Sequence, residues 1–219
     1  DTLAQMAGDA PRLRAFKGEQ ALTGALISLG ESKERNVYFL QGQGEAPPGE
    51  GSELSLLGEF IAKQGVGVAP LNLGLADSVP ADAAAVVIAG PRYDAPPAAM
   101  EALRDYWAKD GRLIVLLDPA APTPVLREFL AAAGITARDD RVLRTVQLGF
   151  ATGILRDVTG QFSPDNRITR RLHGAEAMLP GGACSLQLDR SAPANALEPL
   201  ITAAAPFWGE TDYITDGEK

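Results

Sequence analysis

Short apolar runs alternate with amphipathic segments between residues 36 and 134, and this alternation constrains the fold more than any other feature of the sequence. Three runs are strongly apolar, at residues 36–41, 84–89 and 113–117, whereas a weaker one at 66–73 contains Pro70. Apolar runs of this length are typical of strands that are buried on both faces of a parallel sheet. Pro70 favours an edge position for the weaker strand, because proline donates no hydrogen bond to a sheet ladder.

Three amphipathic segments separate these runs and have the pattern of helices. The first is predicted to begin after a Ser52 cap and to end at Gly65. Four of its apolar positions are predicted to share one face of the helix: Leu56, Leu57, Phe60 and Ile61. The second helix is predicted to begin near residues 96–97 and to end at 110–111. The third follows Thr123, a suitable cap, with Pro124 at the first helical position, and ends at Gly134.

Alternating strands and helices predict an α/β fold with a doubly wound, mostly parallel sheet and helices on both faces. The expected architecture is a flavodoxin-like, three-layer sandwich. We predict one domain over residues 1–219, because this length suits a single core. Within it, residues 1–35 form a helical lead-in, residues 36–135 the parallel core, and residues 136–219 an extension of the same sheet. The lead-in contains an amphipathic stretch at 12–29, and strands are predicted in the extension at 141–154, 183–188 and 197–203.

Composition restricts the partners of this chain. The formal net charge is -8, which is unfavourable for binding nucleic acid or an anionic lipid surface. No apolar run reaches the length of about 18 residues that a membrane span needs. The chain begins with Asp1, so we expect a fragment of a larger bacterial protein whose membrane segments, if present, lie elsewhere. Cys184 is the single cysteine, which excludes an intrachain disulfide.

A search for catalytic and cofactor motifs finds no complete one. Gly42-Gln43-Gly44 lacks the third glycine of the dinucleotide fingerprint, and there is no P-loop or nucleophile elbow. His173 is the single histidine, and Cys184 begins a predicted strand, where a buried thiol is the expected role. The adjacent carboxylates Asp139 and Asp140 are typical of a surface turn. We therefore predict no catalytic residue, no metal and no cofactor.

Polar residues follow three of the predicted strands, where ligands of open α/β sheets bind. These candidate ligand-binding residues are Gln43, Glu45, Arg92, Tyr93 and Asp118. An arginine, two carboxylates and an amide are suited to a polar group such as a sugar or a peptide terminus. In the alternative interpretation, Arg92 pairs with Asp118 or Glu45 and only stabilises the edge of the sheet.

Three stretches resemble a known family: NVYFLQGQGE at 36–45, VVIAGP at 86–91 and DGRLIVLLDP at 110–119. They are similar to the auxiliary domain of bacterial ABC transport systems of the gliding-motility GldG type, which is related to the GIFT domain of intraflagellar transport proteins. The tail at 197–202 and 207–212 resembles the closing segment of this family. The resemblance covers residues 17–213, and the order and spacing of the motifs carry it.

The resemblance implies a fold like that of class I glutamine amidotransferases without their catalytic equipment. Asp118 stands where those enzymes carry the nucleophilic cysteine, and Gln43 stands where family members often carry histidine. The resemblance further implies an extracytoplasmic domain of a membrane-anchored protein that works with an ABC permease and an ATPase. We expect a non-catalytic accessory domain that binds a glycan, a peptide or a partner subunit. The alternatives are a hydrolase or amidotransferase-like enzyme that uses the strand-end carboxylates, and a structural spacer.

Overall fold

The computed structural model describes residues 35–189, 191 and 197–212, and the chain divides into two compact units. The first unit contains the described residues up to Ala89 together with Pro96–Leu116. The second contains Gly90–Ala95 and the described residues from Leu117 onward. The helix predicted at 12–29 lies outside the described residues. The single-domain interpretation of the sequence stays a prediction.

A four-stranded parallel sheet forms the first unit and confirms the predicted α/β class. Its strands are β1 (Asn36–Leu40), β2 (Gly67–Leu71), β3 (Ala83–Ala89) and β4 (Leu113–Leu116), in the order β2-β1-β3-β4. Helix α1 (Ser55–Ala62) connects β1 to β2, and helix α2 (Pro97–Ala108) connects β3 to β4. Pro70 is exposed on the edge strand β2, as predicted.

One buried cluster of this unit lies between the sheet and α1. Phe39, Val87 and Ala89 form a buried cluster, and the half-buried residues packed against it come from β1, β2 and the α1 region: Val37, Leu54, Ile61 and Val68. Successive strand residues point to opposite faces. Val86 and Ile88, on the other face of β3, are also buried, so solvent reaches neither face of this strand.

Three of the four apolar positions of helix α1, at Leu56, Leu57 and Phe60, are exposed. Leu56 is 66% exposed and Phe60 is 60% exposed, whereas Ile61 contacts the core. Gly58 is buried on the inner side, and a Cβ at this position would lie 2.6 Å from the carbonyl oxygen of Pro48. Of the four apolar positions predicted to lie on one face of this helix, Ile61 is the one that packs against the buried cluster of the described residues.

Strand β4 is an edge strand of the sheet, whereas its apolar sequence predicted a buried one. Its side chains alternate in exposure, and Ile114 is 50% exposed and Leu116 is 47% exposed. An apolar run does not distinguish a central strand from an edge strand, because the neighbours that cover it come from elsewhere in the chain.

The second unit contains helix α3 (Pro124–Ala132), a 3-10 turn (Arg170–Leu172) and short antiparallel strands. The strands are β5 (Ile135–Ala137), β6 (Arg141–Leu148), β7 (Ala151–Leu155), β8 (Val158–Phe162), β9 (Glu176–Leu179), β10 (Leu186–Leu188), β11 (Ile201–Ala203) and β12 (Trp208–Glu210). They form small sheets ordered β10-β5, β11-β8-β9 and β12-β6-β7. This arrangement differs from the predicted extension of the parallel sheet.

Two local features of the second unit also differ from the sequence-based predictions. The stretch predicted as one strand at 141–154 is a hairpin, in which β6 and β7 are joined by Gly149 and Phe150. Gly149 has a φ of +65°, a conformation that glycine adopts without strain. Asp140, predicted on a surface turn, is 2% exposed.

Candidate ligand-binding site

The segment that follows β1 is hydrogen-bonded to the carboxyl ends of β2 and β3, the two strands beside β1. The amide of Gln41 donates to the carbonyl of Leu71 at the end of β2 (2.8 Å), and the amide of Ala46 donates to the carbonyl of Ala89 at the end of β3 (2.9 Å). The chain proceeds from β1 to β2 on one side of the sheet, and β3 lies on the other side of β1. This point, where the strand order reverses, is the usual binding position in open parallel sheets.

Glu45 is the buried charged residue of this segment. It is 6% exposed, and its Oε2 accepts a hydrogen bond of 2.7 Å from the amide of Gln43. Its Oε1 is buried and has no hydrogen-bond partner in the described part of the chain. The structure therefore joins two of the candidate residues, and it leaves one carboxylate oxygen with unused acceptor capacity.

Two glycines shape the backbone beside Glu45. Gly42 has a φ of +123° and Gly44 a φ of +85°, in the region that side-chain-bearing residues rarely adopt. A Cβ on Gly42 would also lie 3.3 Å from Oδ1 of Asn72, and this oxygen accepts a hydrogen bond from the amide of Gly74 (2.8 Å). The turn depends on glycine for its conformation and for its contact with Asn72.

Arg92, Tyr93 and Asp118 belong to the second unit. Arg92 is exposed, and Tyr93 is 67% exposed. Asp118 is exposed and accepts a hydrogen bond of 2.8 Å at Oδ1 from the amide of Ala120, so it stabilises its own turn. Within the described residues, no hydrogen bond or ion pair includes Arg92, and the structural pair of Arg92 with Asp118 is not formed.

Asp94 has a structural role that the sequence analysis missed. Its Oδ1 and Oδ2 each lie 3.1 Å from the amide nitrogen of Val125, and Oδ1 lies 3.3 Å from that of Leu126. Asp94 thereby caps α3, where its negative charge also meets the positive end of the helix dipole. Thr123, the predicted cap, occupies the N-cap position, but its hydroxyl is buried without a partner in the described residues.

Cys184 is half-buried, and burial is the main cause that raises the pKa of its thiol. The positive charge of Arg127 opposes this shift, and the negative charge of Asp140 adds to it. The protonated thiol is therefore the dominant form at neutral pH. His173 is exposed. Among the residues that the structure describes, no group of three or more His, Cys, Asp and Glu side chains could hold a metal ion.

A separate cleft of about 420 Å³ lies within the first unit, between the loop after β2 and helix α2. Its apolar part includes Leu73 and Ala102, and three carboxylates line it: Asp77, Glu101 and Asp105. These carboxylates are exposed. No feature of the sequence analysis indicated this cleft, because its two walls are about 25 residues apart along the chain.

Comparison with known proteins places the chain in a structural class. No family model matches the sequence, and no curated protein does so either. The architecture is that of an α/β domain with a four-stranded parallel sheet and additional small antiparallel sheets. A solved structure, the mmIFT52 N-terminal domain, is similar with a TM-score of 0.53 and 20% sequence identity, over 71% of this chain and 69% of that chain. This similarity supports the GIFT-like part of the sequence resemblance at the level of the fold. None of the described helices is long and apolar enough to cross a membrane.

Proposed function

We propose that this chain is an extracytoplasmic, non-catalytic accessory domain of a bacterial ABC transport or gliding-motility system of the GldG type. It binds a glycan, a peptide or a partner subunit at the carboxyl ends of its parallel strands. The observation that carries the proposal is the buried, half-satisfied carboxylate of Glu45 at the point where the strand order reverses. The similarity to the mmIFT52 N-terminal domain and the three motifs quoted above support the choice of family.

We also propose a more specific fold for this domain. The order β2-β1-β3-β4 is the first part of the flavodoxin-like order. It supports a doubly wound, amidotransferase-like sandwich with helices on both faces of the sheet. In this description, Asp118 follows β4 at the position of the amidotransferase nucleophile, and its carboxylate holds a turn.

The surroundings of Cys184 and Glu45 support binding over the alternative of a hydrolase or amidotransferase-like enzyme. A cysteine nucleophile requires a thiolate, and burial raises the pKa of the Cys184 thiol. Glu45 is within hydrogen-bond distance of a backbone amide, which favours the role of an acceptor. Both observations are consistent with recognition of a ligand without a covalent step.

Purification of the full-length protein with the ABC permease and ATPase subunits encoded beside it tests the proposal. We expect stable co-purification and an ATPase rate that changes when this domain is deleted. A domain deletion that leaves both complex formation and ATPase rate unchanged would contradict an accessory role. Turnover of glycosidic, ester or amide substrates by the isolated chain, lost on Glu45→Gln, would favour the enzyme instead.

A further inference from the structure

Glu45 combines burial with an unpaired oxygen, a combination that is rare in folded proteins. The side chain is 6% exposed, and its single described hydrogen bond comes from the amide of Gln43 to Oε2. Removing an ionised carboxylate from water is costly unless a charge or several hydrogen bonds compensate for it. One backbone amide compensates in part only, so the remaining oxygen needs a donor.

The described chain supplies no cation for this purpose. Within the described residues, no ion pair includes Glu45, and its Oε1 has no hydrogen-bond partner. A divalent metal is also a poor candidate, since calcium and magnesium take six or more oxygen ligands, and the described residues form no cluster that could hold a metal ion. The missing partner is therefore better matched by an organic donor with a positive charge.

We propose that Glu45 recognises a protonated primary amine on the ligand. This inference rests on the proposed function and specifies the chemical group that the binding site recognises. An ammonium group offers three hydrogen-bond donors and a compact charge. Its bond to a carboxylate is charge-assisted and stronger than a bond between neutral groups. Oε1 accepts this bond, while Oε2 keeps the amide of Gln43.

The backbone beside Glu45 gives the amine a route to the oxygen. Gly42 and Gly44 are exposed and carry no side chain, so the ligand approaches the carboxylate across bare backbone. Oε1 is closed to solvent in the free chain. The ammonium group therefore reaches it through a local rearrangement of the exposed backbone at Gly42 and Gly44, on either side of Gln43, whose amide stays on Oε2.

Paired ligands that differ only in the amine test the proposal by NMR titration of the complete, isotope-labelled chain. Glucosamine is compared with N-acetylglucosamine, and Nα-acetyl-lysine amide with its Nε-acetylated form, so that the two pairs distinguish an amino sugar from a peptide amine. We expect at least one amine to shift the amide signals of residues 42–46, with a Kd about tenfold lower than that of its acetylated counterpart. Glu45→Gln should remove this difference, whereas Glu50→Gln, which changes an exposed glutamate of the same connection, should retain it.

Three results would overturn the amine assignment: equal binding of the amine and its acetylated form in both pairs, no shift at residues 42–46 with either amine, or a preference that survives Glu45→Gln. The first two are measured on the unmodified chain, so they hold even if Glu45→Gln does not fold. If the titrations show no amine preference but the protein co-purifies with the ABC subunits, amine recognition is rejected and the accessory role is retained. If the protein does not co-purify with the ABC subunits but shows a Glu45-dependent preference for the amine, the role in an ABC system is rejected and the amine-binding site at Glu45 is retained.

Discussion

Asp140 holds Ser185 through both oxygens of its carboxylate. Oδ1 accepts a hydrogen bond of 2.8 Å from the amide of Ser185, and Oδ2 accepts one of 2.6 Å from its hydroxyl. Arg138 adds a longer contact, with Nε 3.8 Å from Oδ2. Asp140 precedes β6 and Ser185 precedes β10, so this pair joins two small sheets of the second unit that share no strand.

Asp140→Ala should lower the free energy of unfolding of the second unit by about 3 kcal/mol, because two hydrogen bonds to a charged acceptor are lost and the amide of Ser185 is left unpaired. Ser185→Ala removes only the hydroxyl bond and should cost about 1 kcal/mol. Urea denaturation followed by tryptophan fluorescence measures both changes, in a Trp107→Phe background in which Trp208 reports on the second unit. Asp165→Ala, at an exposed aspartate, is the control and should stay within about 0.5 kcal/mol. Equal losses for Asp165→Ala and Asp140→Ala would refute the role of this pair.

Gly209→Ala should destabilise the same region by at least as much as Asp140→Ala. A Cβ on Gly209 would collide with the carboxylate of Asp140, and overpacking of this kind typically costs about 1–3 kcal/mol before the displaced hydrogen bonds are included. Because the collision involves the carboxylate, Gly209→Ala combined with Asp140→Ala should cost less than the sum of the two single changes. Strict additivity in denaturation experiments would show that the two residues do not interact.

The sequence predicted the elements of the first unit better than their surroundings. The runs at 36–41 and 84–89 and the edge proline in β2 identified three strands, because apolar composition and proline are local signals. The exposure of Leu56 and Phe60 on α1 was not predictable, since burial depends on neighbours from elsewhere in the chain. The antiparallel strands after residue 134 were also misassigned to the main sheet, because short strands carry no signal of their partners.

In the candidate site, too, residues were predictable where the signal lies in the neighbouring sequence and were missed where the partner is distant in the chain. Gln43 and Glu45 were identified from their position after an apolar run, and the structure joins them. Asp94 was missed because its partners at Val125 and Leu126 are more than 30 residues away. Thr123 satisfied the local rule for a helix cap, yet the more distant carboxylate of Asp94 binds the helix amides.

Asp94→Ala should destabilise α3 by about 1–2 kcal/mol, the usual cost of losing a helix cap. Thr123→Val should be neutral or slightly stabilising, because the buried hydroxyl of Thr123 has no partner among the described residues and a methyl group of the same shape avoids its desolvation. Denaturation of the two single variants distinguishes the caps. The opposite order, with Thr123→Val the more damaging change, would restore Thr123 as the residue that caps α3.

Asp82 should make the stability of the first unit depend on acid pH. The hydrogen bond from Nδ2 of Asn36 to Oδ2 of Asp82 (2.6 Å) is the main cause that lowers the pKa of Asp82, and the hydroxyl of Tyr38 contributes (3.1 Å to Oδ1). A lowered pKa in the folded state stabilises the fold above the unfolded pKa of about 3.9 and loses this effect as pH falls through the folded value. Asn36→Ala should therefore be less stable than the unmodified chain at pH 7, and this difference should shrink below about pH 4. A difference that is constant from neutral to acid pH would exclude the linkage to Asp82.

Cys184 should react slowly with alkylating agents in the folded chain. Burial raises the pKa of its thiol, and the nearby charge of Asp140 adds to this shift, so the thiolate fraction at neutral pH is smaller than in an unfolded chain. The rate of iodoacetamide modification at pH 7.5, followed by mass spectrometry, should rise when urea unfolds the protein. The charge of Arg127 acts in the opposite direction, so Arg127→Gln should raise the pKa further and slow the folded-state reaction while leaving the rate in urea unchanged. Folded-state modification as fast as in urea would instead indicate an activated thiol, and it would reopen the enzymatic alternative for this chain.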